Sequence, residues 1–366
     1  MRPLFGVLTR VDSTFDLLTI ALVTGVRART VRSLHDRGPL AELLRCPADH
    51  GDLLPAGVQA RLASGEAARE AETELARARR LGIRVVGRDE PDYPGHLRQI
   101  FDPPPVLWVR GTLVADEGVY SLAIVGSRAC TPAGAAFARH LSAELAAAGA
   151  TIVSGLARGI DAAAHRGALD AGGRSVAILG SGLDRLYPAE HNGLANALVE
   201  RGAVVSEFPL GTPAHPGRFP QRNRLIAGWG CGVVVVEAAA RSGALITARA
   251  ALDEGREVFA VPGHPSSDQA AGTNALLRDG ARPVRSASDV ALDLGWAPAP
   301  AVAKTPARSS TTDPLLDALR TDAPAGLDEL GLRLGWPTEQ LLARLGALEV
   351  ESKVRRLPGA LFVRAS

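Results

Sequence analysis

The stretch "YSLAIVGSRACTPAGAAFARHLSAELAAAGATIVSGLARGIDAAAHRGALDAGGRSVAILGSG" spans residues 120–182. It repeats one pattern: a short apolar run closed by glycine, then a longer run of helical spacing. "YSLAIVGS", "ATIVSG" and "RSVAILGSG" read as buried strands, and "AGAAFARHLSAELAAAG" and "GIDAAAHRGALDAG" as helices. The alternation continues through "AEHNGLANALVERG", "AVVSEFP", "RNRLIAGWG", "CGVVVVEA", "ALITARAALDEG", "REVFAVPG", "TNALLRDG" and "ARPVRS". Strands alternating with helices predict an α/β fold with a doubly wound, mostly parallel sheet. Ligands of such sheets bind beyond the carboxyl ends of the strands. Polar and glycine-rich residues gather at those ends: "GSR" (126–128), "SGLARG" (154–159), "GSGLD" (180–184), "SEFP" (206–209), "EAAARSGAL" (237–245) and "PGHP" (262–265).

Working outward, residues 1–82 read as an N-terminal helical domain. Within it "LVTGVRARTVRSL" looks like a helix-hairpin-helix turning at Gly25, or a plain pair of antiparallel helices, since the second small turn position is Ala28. Residues 83–113 alternate short strands with turns, and Pro103, Pro104 and Pro105 impose an extended connection. The sheet domain is placed at 83–296. "APAPAVAKTPARSSTTD" (297–313) is a linker by composition. Residues 314–366 read as three helices followed by a ribbon, "KVRRLPGALFVR", which suggests a winged helix. Between Ser352 and Ser366 lie Lys353, Arg355, Arg356 and Arg364, with no acid.

A length of 366 residues favours two or three domains. The net charge of +2 supplies no global field that would draw the chain onto DNA or a membrane, so any nucleic-acid affinity must come from local patches. Cys46, Cys130 and Cys231 are odd in number and form no zinc spacing, so neither a metal nor a cofactor is expected, and a reducing cytoplasm fits. No run has the length of a membrane span, and the N-terminus, with Asp12 and Asp16, does not read as a signal peptide.

Three loops at one sheet edge predict an anion site. Ser127 and Arg128 follow a strand and precede a helix start at Thr131 and Pro132. Ser154, Gly155, Arg158 and Gly159 repeat the arrangement, and Ser242 and Gly243 form the third. Free N–H groups at a helix start, a hydroxyl and a guanidinium suit phosphate. "RFPQRNR" adds Arg218, Phe219, Arg222, Asn223 and Arg224, with no acid between Glu207 and Glu237. Three arginines exceed the need of one phosphate, so a strand with a base stacked on Phe219 fits better than a mononucleotide. One of Arg222 and Arg224 is expected to be buried scaffold, paired with Glu207 or Glu237. Those glutamates either activate water in a hydrolase or hold arginines and amides in place. Asp161 and His165, four apart on a helix, read as a structural pair before a catalytic one.

Together the motifs "AIVGSRACTPAG", "IVSGLARGIDAAAHRGAL", "AILGSGLDRLYPAEHNGL", "VVSEFPLGT", "FPQRNRLIAG", "VVVVEAAARSGALITARAALDEGREVFAVPG" and "GTNALLRDGA" closely resemble the DNA-processing protein A (DprA/Smf) family over about residues 106–285. The resemblance implies an extended Rossmann-like fold, flanked by a helix-hairpin-helix or SAM-like domain and a winged helix. It implies a non-enzymatic protein that binds single-stranded DNA, and duplex more weakly, and loads RecA in natural transformation. It also implies a homodimer formed through the Rossmann domain. Its phosphate pocket carries over to Gly126, Ser127, Arg128, Ser154, Gly155, Arg158, Gly159, Ser242, Gly243, Thr247, Gly272 and Thr273, and its aromatic-basic site to Phe219 and its neighbours. Where family members place a lysine after "YP" or before "FP", this chain has Ala189 and "AHPG" (214–217), which assigns that role to Arg218. The alternative is an enzyme similar to nucleotide phosphoribohydrolases. The corresponding loop, "RSGALITARA", has no carboxylate before Asp253.

Overall fold

The computed structural model describes residues 13–23, 28–114, 119–296, 313–319, 324–350, 353–357 and 361–364. The chain divides into two units, Met1–Ala301 and Val302–Ser366. In the first unit the strands are β1 (Arg84–Gly87), β2 (Val106–Gly111), β3 (Ser121–Val125), β4 (Thr151–Ser154), β5 (Ser175–Leu179), β6 (Ala203–Ser206), β7 (Gly232–Val235), β8 (Glu257–Ala260) and β9 (Arg282–Pro283). They form one sheet in the order β1-β2-β6-β5-β4-β3-β7-β8-β9. The pairs from β6 to β9 are parallel; β1 with β2 and β2 with β6 are antiparallel. The chain steps outward from β3 to β6, returns to lay β7 against β3, and steps outward the other way. The order therefore reverses between β3 and β7, where a doubly wound sheet opens its ligand crevice.

The central strands β3 to β7 are buried throughout because both faces are covered. In β3, Leu122 and Ile124 belong to one buried cluster, while Ala123 and Val125 belong to another. That alternation is the two-residue period of a strand. The Ala123 face receives α6 (Gly95–Arg98), α10 (Arg218–Trp229), α11 (Gly243–Asp253) and α12 (Ala271–Arg278) through Leu97, Leu225, Trp229, Ala248 and Leu276. The opposite face receives α7 (Pro132–Ala147), α8 (Ile160–Asp170) and α13 (Ala287–Asp293) through Leu141, Leu145, Ala164 and Val290. Further along that side, α9 (Asn192–Arg201) and the N-terminal helices share one core with β2, β5 and β6. These helices are α1 (Thr14–Ala21), α2 (Ala28–Arg37), α3 (Leu40–Leu43), α4 (Ala56–Ala63) and α5 (Glu66–Arg80). Leu17, Leu18, Ile20, Trp108, Leu179 and Val204 all lie in that core. The expected hairpin turn at Gly25 lies outside the described residues.

One boundary differs from the sequence expectation. The sequence pattern places the helix at "RNRLIAGWG", but α10 begins at Arg218. Pro220 reads as a break, yet it occupies the first turn, where its missing N–H would have had no helical partner. The aromatic-basic motif is therefore the first turn of a helix and not a loop.

In the second unit α14 (Pro314–Ala318), α15 (Leu327–Leu334) and α16 (Thr338–Val350) pack with β10 (Ala325–Gly326), β11 (Val354–Leu357) and β12 (Leu361–Arg364). The sheet order is β10-β12-β11. The anticipated ribbon pairs Val354 with Arg364 and Leu357 with Leu361, and β10 adds a short third strand that the sequence did not suggest. Leu315, Leu330, Leu341, Leu345 and Phe362 fill the core. This is a winged helix. Of the expected linker 297–313 only Asp313 is described; its side chain caps α14 by accepting from the Leu315 amide at 3.0 Å. Among the described residues no helix is long and apolar enough to cross a membrane.

His165 illustrates the polar accounting inside the first unit. It is fully buried, and its Nδ1 lies 2.7 Å from Ser175 Oγ. That hydroxyl donates to Ile152 O at 2.7 Å, so it must accept from Nδ1–H, while the buried Nε2 has no partner among the described residues, which suits the unprotonated nitrogen of a neutral ring. Burial, followed by the charge of His191, lowers the imidazole pKa to about 3. In the unfolded chain it titrates near 6.5. Between those values the unfolded state holds the extra proton, so stability falls as pH falls, by about 1.4 kcal/mol per unit. From pH 6.5 to 5 the group should cost about 2 kcal/mol. His165→Asn should flatten the pH dependence of the urea midpoint over that interval; equal slopes would show that the ring takes up a proton in the fold.

Candidate nucleic-acid interface

The loop after β3 is held from below. Ser127 N donates to Glu237 O at 2.7 Å. The Glu237 carboxylate accepts from Thr131 N at 2.8 Å and from Thr131 Oγ1 at 2.5 Å. Thr131 in turn caps α7 by accepting from Gly134 N at 3.0 Å, with Pro132 opening the helix. Ser127 Oγ accepts from the Ala129 amide at 3.2 Å, and Arg128 stands exposed beyond it.

The loop after β4 is held by two buried charges. Asp161 Oδ2 accepts from Gly155 N at 3.1 Å and from Ala157 N at 3.4 Å. Burial raises the Asp161 pKa, opposed by the charge of Arg222 and by those two amides. Arg222 Nη1 donates to Gly155 O at 2.7 Å and to Ile178 O at 2.6 Å. Burial lowers its pKa to about 10, so it remains a cation at neutral pH. Gly159 has φ +73°, and a Cβ there would lie 2.3 Å from Ser127 O, so this glycine ties the second loop to the first. Asp161 holds the loop before its helix, as the structural reading expected, but His165 turns away to Ser175, so the two do not form the expected pair. The third loop ends in Ser242, whose hydroxyl caps α11 by accepting from Ala244 N at 3.3 Å.

These loops and the first turn of α10 enclose a cavity of ≈ 500 Å³ at the reversal between β3 and β7. Gly126, Ser127, Arg128, Phe219, Arg222, Asn223, Ser242, Gly243 and Thr247 line it. A narrow cleft beside it is lined by Arg128, Gly155, Arg158, Phe219 and Arg222, together with Gly180 and Tyr187. Six of the sequence candidates line neither space. Ser154 is fully buried and donates to Ile124 O at 2.6 Å. Gly159 packs on Ser127. The Gly272 amide donates to Ala238 O at 2.7 Å, and Thr273 is fully buried on Ala270 O at 3.1 Å. Arg218 reaches Pro213 O at 2.7 Å and lies 5.8 Å from the Phe208 ring. Arg224 pairs with Glu207 and reaches Asp102 O at 2.5 Å. Burial raises the Glu207 pKa to about 7, against the pull of that arginine. Both Arg222 and Arg224 are thus built into the scaffold, where the sequence reading allowed for one.

Phe219 lies half-buried, with the Arg128 guanidinium 4.7 Å from its ring centre. Tyr187 stands 6.0 Å away at 36° and is 45% exposed, so it offers the more open aromatic surface of the two. Sequence reasoning missed Tyr187; the signal was the "YP" of 187–188, read only as a neighbour of an absent lysine. Arg158 is paired with Glu190. Arg128, by contrast, has no carboxylate partner among the described residues. Nor does any group of three or more His, Cys, Asp or Glu among them form a metal site.

Gly155 gives a direct test of the scaffold. A Cβ there would sit 1.9 Å from Arg222 Nη1. Gly155→Ala should push the guanidinium off both carbonyls and lower stability by about 1–3 kcal/mol, the usual cost of overpacking. Gly243 has nothing within 4 Å of an added Cβ, so Gly243→Ala should leave the urea midpoint nearly unmoved. Equal midpoints for the two variants would show that Arg222 can move freely.

The family model for DNA recombination-mediator protein A matches residues 84–295, and that for the DprA winged helix domain matches residues 298–360. The chain is 40% identical over 289 residues to Protein Smf of Escherichia coli, covering 76% of this chain and 77% of that protein. It is 36% identical over 337 residues to a putative DNA processing protein DprA of Mycobacterium tuberculosis, covering 85% and 86%. The fold is similar to the X-ray structure of DNA processing protein A from Streptococcus pneumoniae, with TM-score 0.61 and 30% identity, over 78% of this chain and 99% of that one. It is also similar to DNA processing protein A from Helicobacter pylori, a structure that concerns its single-stranded DNA binding mode, with TM-score 0.52 and 27% identity over 58% and 95%. A family match over more than half of the sequence, together with a relative 40% identical over 76% of this chain, shows that this chain belongs to the DNA recombination-mediator protein A (DprA/Smf) family.

Proposed function

We propose that this chain binds single-stranded DNA along the carboxyl edge of its sheet, protects it, and loads RecA onto it in natural transformation. It acts as a homodimer through the sheet unit, in the cytoplasm. The observation that carries the DNA reading is the state of Arg128. Arg158, Arg218, Arg222 and Arg224 are engaged with Glu190, Glu207 or backbone carbonyls, while Arg128, at the edge of the cavity, has no carboxylate partner among the described residues and rests on an aromatic ring. A guanidinium so placed is available to a phosphate, and its departure uncovers the ring for a base. The described relative from Helicobacter pylori binds single-stranded DNA, which supports the same use here. RecA loading and dimerisation are inferred from family membership.

Binding is favoured over glycosidic hydrolysis by the two glutamates at the strand ends. Glu237 is committed to Thr131, and Glu207 to Arg224. Neither lines the cavity. Incubation with nucleoside monophosphates should release no free base.

Arg128→Ala should weaken binding to every single-stranded sequence alike and flatten the salt dependence by roughly one unit. Phe219→Ala should cost about 1–3 kcal/mol of affinity with little change in slope, as expected for a lost stacking surface. Fluorescence anisotropy over a salt series reads both; an unchanged slope in Arg128→Ala would remove that residue from the phosphate path. A fragment ending at residue 296 should keep most single-strand affinity and lose chiefly duplex affinity. Collapse of single-strand binding in that fragment would move the main site to the winged helix.

A further inference from the structure

The exit of β6 and the entry to β2 meet at one end of the sheet, because the two strands run antiparallel and Trp108 pairs with Ser206. Glu207, just after β6, and Asp102, in the run before β2, are thereby brought to one guanidinium, that of Arg224 on α10. Arg224 Nη2 donates to Glu207 Oε2, and its Nη1 donates to Asp102 O at 2.5 Å. The other oxygen of Glu207, Oε1, and the Oδ1 of Asp102 are both buried, and neither has a donor among the described residues. The local chemistry accounts for the shortage. Pro103, Pro104 and Pro105 follow Asp102 and carry no N–H. The Phe208 amide is committed to Ser206 Oγ at 3.0 Å, and the Tyr93 hydroxyl to Pro104 O at 2.8 Å. Near that hydroxyl, whose pKa burial raises, are the charges of Arg88 and Arg98, and both turn elsewhere. Arg98 Nε donates to Arg88 O at 2.8 Å, and Arg88 Nε lies 3.6 Å from Asp89. Charge is therefore short as well as donors: two carboxyl groups meet the one guanidinium of Arg224. A buried charge without a match is costly, and so is a buried oxygen without a donor. A single proton would correct both, leaving one carboxylate against one guanidinium and one O–H to bridge the two orphan oxygens.

We propose that Glu207 and Asp102 share one proton at neutral pH, held between Glu207 Oε1 and Asp102 Oδ1, and that this proton joins the loop after β6 to the run before β2 at Arg224. The result is a pH-dependent clasp on α10, the helix that also carries Phe219 and Arg222. Burial raises the Glu207 pKa to about 7, against the pull of Arg224 and with the help of the Asp102 charge. In the unfolded chain Glu207 titrates near 4.5. Between those values the folded state holds the extra proton. The stabilisation is therefore complete below about pH 4.5 and is lost as pH rises through 7. That sign is opposite to the one derived for His165, whose buried ring refuses a proton that the unfolded chain accepts.

The full-length protein, isotope-labelled at the glutamate side-chain carboxyls, would be titrated by NMR across the acid and neutral range. One glutamate should titrate near 7, and Glu207→Gln should delete that signal. Asp102→Asn should lower the Glu207 midpoint by about one pH unit or more, a tenfold loss of proton affinity, because the partner in the shared proton is gone. Urea unfolding supplies a second reading. Between about pH 5 and 7 the folded-to-unfolded ratio of the wild type should fall by roughly a further tenfold per pH unit relative to Glu207→Gln, which keeps its own proton-like donor at every pH. His165 is common to both proteins and cancels in that comparison. Circular dichroism would confirm that the variants fold, and Asp102→Ala would stand in for Asp102→Asn if that chain does not. A Glu207 midpoint in the ordinary carboxylate range would overturn the proposal, since both groups would then be ions. So would a midpoint near 7 that loss of the Asp102 carboxyl leaves in place, because burial alone would then keep the proton on Glu207. Equal pH slopes for the wild type and Glu207→Gln would overturn it as well.

Discussion

The contact on which the interface depends is the buried guanidinium of Arg222 across the ends of β4 and β5. Parallel strands end with carbonyls that the ladder no longer satisfies, and a buried carbonyl without a donor is costly. Arg222 donates to two of them, Gly155 O and Ile178 O. A buried cation needs a counter-charge, and Asp161 supplies it from the start of α8. Asp161 then spends its acceptor capacity on the Gly155 and Ala157 amides, which fixes the path of the second loop. That path brings Gly159 onto Ser127 O, so the loops after β3 and β4 are set by one arginine on a third element, α10.

Charge is distributed with the same economy. The chain carries 41 basic and 39 acidic residues, so the sheet edge receives little help from a net field. Most arginines near the cavity are already neutralised or bound to carbonyls. What remains for an anion among the described residues is Arg128, the exposed Arg241 beside the third loop and the start of α11, because Glu237 already occupies the start of α7. An interface of this kind gains from the direction of its donors more than from the number of its cations, and its affinity should be less sensitive to salt than that of a densely basic groove.

The fold was legible because both of its periods are strong. Glycine-bounded apolar runs such as 121–125 leave only a buried strand, and the small residues of 132–147 only a helix that packs closely. The first turn of α10 was not legible, since Pro220 gives the same signal in a loop as in a helical first turn. The fates of Arg222 and Arg224 could not be separated either. They are two residues apart in sequence yet point roughly 200° apart around a helix. One therefore meets the β4–β5 ends and the other Glu207. Tyr187 escaped notice because its value lies in meeting Phe219, 32 positions later, and no local pattern encodes that approach.

The Arg128–Phe219 stack joins recognition to readiness. Without a strand, the guanidinium covers an aromatic face that would otherwise be open to water, and the ring in turn gives the cation a partner that costs no buried carboxylate. A carboxylate in that position would have held Arg128 more tightly and repelled phosphate. An aromatic ring holds it weakly enough to be exchanged for a charged ligand, because a charge-assisted hydrogen bond to phosphate is stronger than an exposed cation–π contact. On the single-strand reading proposed above, an exchange that satisfied a phosphate would free Phe219, beside Tyr187, for a base. Phosphate contact and stacking would therefore be acquired together, and a small anion that drew Arg128 away would gain the first without using the second.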